Sequence, residues 1–439
     1  MGVVQFIWHT ILTDGMQYAT VAEILRRLEK AVTDMSASRR DWHDDTKVAR
    51  LGRAHDGDGL TVNRPLHRAS TIGFSSVAAI DAAKKKRFDK GTVFYGRFGT
   101  PDVFAFEDAI TGLEGGYGTI AVPSGLAACV LPLVAFLRPG DHLLVTDAVY
   151  EPARTSMAEF IRRNGVDVEF YDPRIGAGIA ALIRPETRMI YLESPGSLTF
   201  EVQDVPAICA AAKAAGVMTV ADNTWATALN CRPIDLGVDI VVQSATKYIV
   251  GHSDAMLGLV TCHEAHYRAL REAANWLGYR ASPDDVYMAA RGLRTLTARM
   301  RQHHETGIAL ARFLEGLPQV RRVIHPALPS HPDHALWKRD FAGASGLFAI
   351  ILDTPSHATA VAFAEDLELF GLGFSWGGYE SLVLLADPAH ARTATNWTED
   401  GILVRLYAGL EHVDDLKADL ARAILKATCD TANRSVHVA

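Results

Sequence analysis

The sequence predicts an α/β fold, a large domain on a mostly parallel sheet followed by a smaller α+β domain, and three observations carry this. Between about residues 98 and 290, short apolar runs alternate with helical windows such as AEFIRRNG and VPAICAAAKAAG. Such alternation reads as βαβ units, whose helices cover the faces of a parallel sheet. The runs DHLLVTD, VDVEFYD, RMIYLE, GVMTVAD and VDIVVQS have strand length, and several end on a polar residue. Beyond about residue 290 the order loosens into a long helix and a mixture of strands and helices, as in an α+β unit.

Taken in order, QYATVAEILRRLEKAVTD (17–34) places Val21, Ile24, Leu25, Leu28 and Val32 at helical spacing, which predicts a short amphipathic helix. Residues 36–97 are polar and broken, with few periodic segments, and read as an arm that needs another surface to lie on. A helix follows over Asp102 to Leu113, then a strand over Thr119 to Val122 and a helix from Ser124. The five runs quoted above then continue the sheet. A single helix is read from Asp284 to Gly316, followed by VRRVIHP, the strand GLFAIILD, the helix AVAFAEDLELF, the strand ILVRLYAG and the helical HVDDLKADLARAILKA. The expected divisions are 1–97, an extension and arm; 98–293, the large domain; and 294–439, the small one.

Composition narrows the function. The 439 residues are 49% hydrophobic with a net charge of -7, and acids and bases are interspersed. A chain of this length and apolar content buries sizeable cores. No basic stripe of the kind that tracks phosphate backbones is present, which argues against a nucleic-acid partner. The five cysteines are scattered without a CxxC pair, so they read as reduced core thiols, and no metal site is expected. The N-terminus lacks a positive residue before its apolar stretch, and no segment has the ~20 apolar residues of a membrane span. A cytoplasmic protein is expected.

The chemistry centres on SATKYIVGHSD (244–254), which follows the apolar run Val238 to Val242. Lys247 therefore sits just past a strand's carboxyl end, where open α/β sheets place their ligands. GVMTVAD ends at Asp222, 25 residues earlier, so adjacent parallel strands bring both residues to one edge. Two readings remain open. Lys247 and Asp222 form a structural buried ion pair, or they serve a cofactor, the carboxylate keeping a ring nitrogen protonated and the lysine capturing an aldehyde as a Schiff base. Pyridoxal 5'-phosphate (PLP) makes further demands that can be checked. VPSGLAACVLPL supplies a strand, then Ser124-Gly125-Leu126, then a helix whose free amides suit a phosphate. Ser244 and Thr246 could add hydroxyls, and Tyr150 in DAVYEPAR offers an aromatic face for the ring.

The stretches YGRFGTPD (95–102), PSGLAA, DAVYEPAR, LESPGSLTFEVQDVPAI, ADNTWA, QSATKYIVGHSDAMLG, RGLRTLTARMRQHH, FSWGGYESL (374–382) and VRLYAGLEHVDDL together resemble the cysteine/methionine-metabolism family of fold-type-I PLP enzymes. The resemblance runs from about residue 45 to 427, and SWGGYES and GHSDAMLG look most like its cystathionine β-lyase branch. It implies the aspartate-aminotransferase-like fold with Lys247 as Schiff-base lysine, Asp222 on the pyridinium nitrogen and Tyr150 stacked on the ring. Gly125, Leu126, Ser124, Ser244 and Thr246 would hold the phosphate. Tyr95 and Arg97 would reach the neighbouring subunit's phosphate, so that the active unit is at least a dimer and commonly a tetramer. Arg405 would grip the substrate α-carboxylate, with Ser375 and Trp376 lining the pocket. Phe374 departs from the pattern, which tends to carry Tyr there.

The implied reaction is β-elimination of L-cystathionine, a small amino-acid thioether, with side activity on related cysteine conjugates. On the same fold, γ-lyase or γ-synthase chemistry on cystathionine or methionine is the alternative. From another class, the alternative is a catalytically idle PLP-binding regulator.

Overall fold

The computed structural model describes residues 42–53 and 61–436. The amphipathic helix read over 17–34 lies outside those residues. The chain divides into two units, Met1–Lys47 and Val48–Ala439, and both sheets belong to the second.

The first sheet has seven strands: β1 (Gly118–Val122), β2 (His142–Thr146), β3 (Asp167–Tyr171), β4 (Thr187–Glu193), β5 (Met218–Asp222), β6 (Ile240–Ser244) and β7 (Gly258–Cys262). Their order is β1-β7-β6-β5-β4-β2-β3, and only the pairings of β7 are antiparallel. Alternate residues of one strand feed opposite cores, as a sheet covered on both faces requires. Leu143 and Val145 pack with Val220, Val242 and the helix Gly125–Phe136, whereas Leu144 packs with Val241 and the helix Val205–Ala215.

Helix ends follow their capping chemistry. Ser124 caps the Gly125–Phe136 helix by accepting the Ala127 N–H at 3.1 Å. Asp204 does the same for Val205–Ala215, which Gly216 ends in the left-handed region at φ 68°.

The second sheet contains β8 (Val320–Ile324), β9 (Leu347–Leu352), β10 (Phe370–Leu372), β11 (Ser381–Ala386) and β12 (Ile402–Tyr407), in the order β10-β11-β12-β9-β8. Its core joins Phe348, Ile350, Val404 and Leu406 to Leu416, Leu420 and Ile424 of the last helix.

Three sequence expectations need correction. The helix read from Asp284 to Gly316 is two helices, Pro283–Leu293 and Leu296–Glu315, interrupted at Arg294 and Thr295. The break lets Arg299 reach back, its guanidinium donating to the carbonyls of Tyr248 at 2.6 Å and Gly292 at 2.8 Å. The helix read through AVAFAEDLELF ends at Asp366, since Leu367 turns to extended backbone and Phe370 begins β10. Strand β7, unforeseen, enters antiparallel between β1 and β6.

Candidate active site

Strands β5 and β6 are parallel neighbours, with Asp222 opposite Val242, so Asp222, Ser244 and the turn carrying Lys247 share one carboxyl edge. Strand β2 leads through Asp147 to Tyr150 at the same edge, and β1 leads to Ser124. From the second sheet come Arg405 on β12 and the turn between β10 and β11 that carries Ser375 and Trp376.

Ser375 is the point where the two sheets meet chemically. Lys247 Nζ donates to its Oγ at 2.5 Å, and Arg405 donates to its backbone carbonyl at 3.0 Å. Ser375 adopts φ 79°, in the left-handed region that a non-glycine residue occupies only when its surroundings force it. Gly377 follows at φ 94°, and a Cβ there would lie 2.7 Å from Lys247 Cα, so the SWGG turn needs glycine to press against the lysine. Trp376 completes the enclosure, its ring 5.2 Å from Lys247 Nζ.

Burial, reinforced by the nearby Arg405 charge and opposed by Asp222, pushes the Lys247 ammonium down to about 8. Burial likewise lowers Arg405 to about 10, which leaves it charged at neutral pH. Asp222 moves the other way, its pKa raised by burial despite hydrogen bonds from Thr224 and Cys129 and the attraction of Lys247. Those donors are neutral: Thr224 Oγ1 at 2.5 Å, Thr224 N at 2.9 Å and Cys129 Sγ at 3.6 Å. Burial and its acidic neighbours raise the Tyr150 hydroxyl, so it stays protonated and able to donate.

Two groups escaped the sequence reading. Glu193 ends β4 directly opposite Asp222, and its Oε2 accepts the Tyr150 N–H at 2.7 Å. Burial first, then Asp222, holds its carboxyl well above the usual range. It closes RMIYLE just as Asp222 closes GVMTVAD, so the same polar strand end would have flagged it. Cys129, read as a core thiol, is buried yet aims its sulfur at Asp222.

The residues fit PLP. A Cβ at position 125 would lie 2.5 Å from Ser244 Oγ, so glycine alone permits this close approach of a helix N-terminus to the Ser244 hydroxyl. Thr224 Oγ1 accepts the Ser244 N–H at 2.9 Å while donating to Asp222, which links Ser244 to Asp222 through one hydroxyl. The half-buried Asp222 carboxylate lacks a cationic hydrogen-bond donor among the described residues, a partner that a protonated ring nitrogen would supply. Thr246 is less open than expected, because its hydroxyl exchanges hydrogen bonds with the Leu257 backbone.

Tyr95 and Arg97 stand apart. Arg97 donates to the Asn275 carbonyl at 2.9 Å and to its Oδ1 at 3.1 Å, and Tyr95 is exposed. No hydrogen bond joins either to Lys247, Asp222 or Ser244 among the described residues.

The model of the family described as "Cys/Met metabolism PLP-dependent enzyme" matches residues 45–425. A cystathionine beta-lyase of Escherichia coli is 43% identical over 382 residues, covering 86% of this chain and 96% of the relative. A cystathionine beta-lyase of Salmonella typhimurium is 42% identical, covering 86% and 97%. Among solved structures, cystathionine gamma synthase from Xanthomonas oryzae pv. oryzae, in complex with aminoacrylate and cysteine, superposes with a TM-score of 0.80 at 32% identity, covering 88% of this chain and 99% of that one. The chain therefore belongs to the Cys/Met metabolism family of PLP-dependent enzymes.

Proposed function

We propose that the chain is a PLP-dependent carbon-sulfur lyase that cleaves L-cystathionine by β-elimination to homocysteine, pyruvate and ammonia. The observation that carries this reading is the convergence of the Lys247 amine and the Arg405 guanidinium on Ser375, facing Asp222 across one edge. β-Elimination is preferred to γ-chemistry because the relatives named as cystathionine beta-lyases are 42–43% identical to this chain, whereas the cystathionine gamma synthase structure is 32% identical.

When bound, PLP supplies an aldehyde that links to an amine and a protonated ring that withdraws electrons from the attached amino acid's Cα. Asp222 would hold the ring proton, and Thr224 and Cys129 keep its carboxylate aimed. Glu193 fixes the Tyr150 backbone, which anchors the ring that would stack on the cofactor. Arg405 takes the substrate carboxylate with its planar fork, exchanging the Ser375 carbonyl for a charged partner. The Lys247 amine, depressed to about 8, takes the Cα proton near neutral pH, where an ordinary lysine would be almost wholly charged. Ser375 Oγ keeps that amine in line. The leaving sulfur collects a proton from Tyr150 or from Lys247.

Tyr95 and Arg97 serve the partner subunit's phosphate in this reading, and the active unit is at least a dimer. Their exposure, and the engagement of Arg97 with Asn275 rather than with Lys247, Asp222 or Ser244, support it. No helix of the described residues is long and apolar enough to cross a membrane, and a cytoplasmic location fits the reading. The test is turnover of L-cystathionine with both oxo acids quantified. Pyruvate as the main product is expected, 2-oxobutyrate would move the chain to the γ-lyases, and no turnover of any thioether would defeat the reading.

A further inference from the structure

The segment 392–399 precedes β12 and is fastened to both sheets. Asp147, just past β2 and three residues before Tyr150, has its carboxylate fully enclosed. That carboxylate accepts three consecutive amides, from Thr393 at 3.1 Å, Ala394 at 3.0 Å and Thr395 at 2.9 Å. It also accepts the hydroxyls of Thr395 at 2.9 Å and Thr393 at 3.3 Å. Arg154 donates to it at 3.0 Å and to the Thr393 hydroxyl at 2.7 Å, closing the ring of donors. A second tie lies beside the first, where Arg392 donates to Glu201 at 2.8 Å and to Thr199, both just beyond β4. At its far end Glu399 pairs with Arg322 of β8 in the second sheet.

Arg405 follows Thr395 by ten residues and sits in β12, paired with β11 and β9, so the clasp ties the sheet that carries Arg405 to the β2 end of the first sheet. We infer that Asp147 is a positioning residue for catalysis, clasping the 393–395 amides so that Arg405 on the second sheet is held facing Lys247 on the first. The bonds cross a sequence separation of 246 to 248 residues, so they join parts of the chain that nothing local brings together. A carboxylate that receives three successive amides behaves as the mirror of an anion nest, the side chain organising the loop rather than the loop binding a ligand. This inference rests on the reading of Arg405 as the carboxylate anchor.

The test compares wild type, Asp147→Asn and Thr395→Val as PLP-loaded enzymes, with L-cystathionine kinetics and amide hydrogen exchange. Asp147→Asn places an N–H against the amides it should accept. The KM should rise about tenfold with kcat changed less than about threefold, since misplacing a binding group by a fraction of an ångström costs on this order. Exchange at residues 393–395 should quicken at least about tenfold, as expected for local opening. Thr395→Val removes one donor and keeps the shape, so it should move both readouts in the same direction by less.

A loss of thermal stability with unchanged KM would assign Asp147 a structural role and overturn the inference, as would a raised KM without faster exchange at these amides. If Asp147→Asn does not fold, a wild-type KM in Thr395→Val overturns it. A wild-type enzyme without turnover would defeat the lyase reading instead, and unchanged exchange in the variants would then still contradict the clasp.

Discussion

Two carboxylates stand on one sheet edge and meet opposite fates. Asp147 is enclosed by amides, hydroxyls and Arg154, and those hydrogen bonds, working against burial, hold its pKa below the ordinary 3.8. Asp222 is half-buried two strands away on the same edge, but its donors are neutral and its pKa is raised above the same value. The difference separates an acid that holds a loop in place from one that awaits a ligand. A carboxylate whose partners are all present holds the protein's own groups in place, and one short of a cation marks a place where a cation is to arrive.

The comparison breaks or sharpens under substitution. The largest effect is expected at the lysine that faces the under-partnered acid: Lys247→Ala should lower turnover by more than about a thousandfold while the protein still holds cofactor, as removal of a positioned base predicts. Wild-type turnover in that variant would contradict the role.

Next comes Asp222→Ala, which should lower kcat by about a hundredfold or more with little change in thermal stability, because it removes charge stabilisation needed in the reaction rather than in folding. Asp147→Ala should do the reverse in thermal unfolding, destabilising by on the order of 3 kcal/mol through the loss of a buried paired charge. Equal thermal shifts in the two variants would erase the distinction.

Smaller still are opposite pH slopes in cofactor-free protein. The folded state depresses Asp147, so its stabilising contribution is present above the ordinary 3.8 and is lost as pH falls through the lower folded value. The folded state raises Asp222, so stability falls as pH climbs from 3.8 through its higher folded value. Asp222→Asn should reduce the second slope and leave the first, with Glu193, itself raised by burial, keeping part of the second, read from unfolding midpoints across the acid range. In the same cofactor-free protein, amine labelling of Lys247 should reach half its limiting rate near pH 8, and Arg405→Gln should move that midpoint upward by removing a like charge. A midpoint near 10.5 would contradict the environment described.

Much of this was legible in the sequence because strand ends write themselves locally. Asp222 and Lys247 each close or follow a short apolar run, and parallel pairing of consecutive strands puts such ends together. Strand β7 was not legible, because GLVTC has strand length but nothing local signals that it inserts antiparallel between β1 and β6. The break between the helices Pro283–Leu293 and Leu296–Glu315 also escaped, since Arg294 and Thr295 are neither glycine nor proline and Arg299 finds its acceptors only in the fold. Cys129 looked like any core thiol until Asp222 was placed beside it. Arg154 of the Asp147 clasp lies in the same DAVYEPAR, but the amides that the carboxylate holds are almost 250 residues away and leave no trace there.

The most direct measurement reduces the PLP-loaded enzyme with borohydride and maps the pyridoxyl group by peptide mass spectrometry. The account predicts the label on the peptide containing SATKYIVGHSD, on Lys247 alone, and its loss in Lys247→Ala. A label on any other lysine, or a protein that takes up PLP without borohydride-fixable attachment at Lys247, would contradict it.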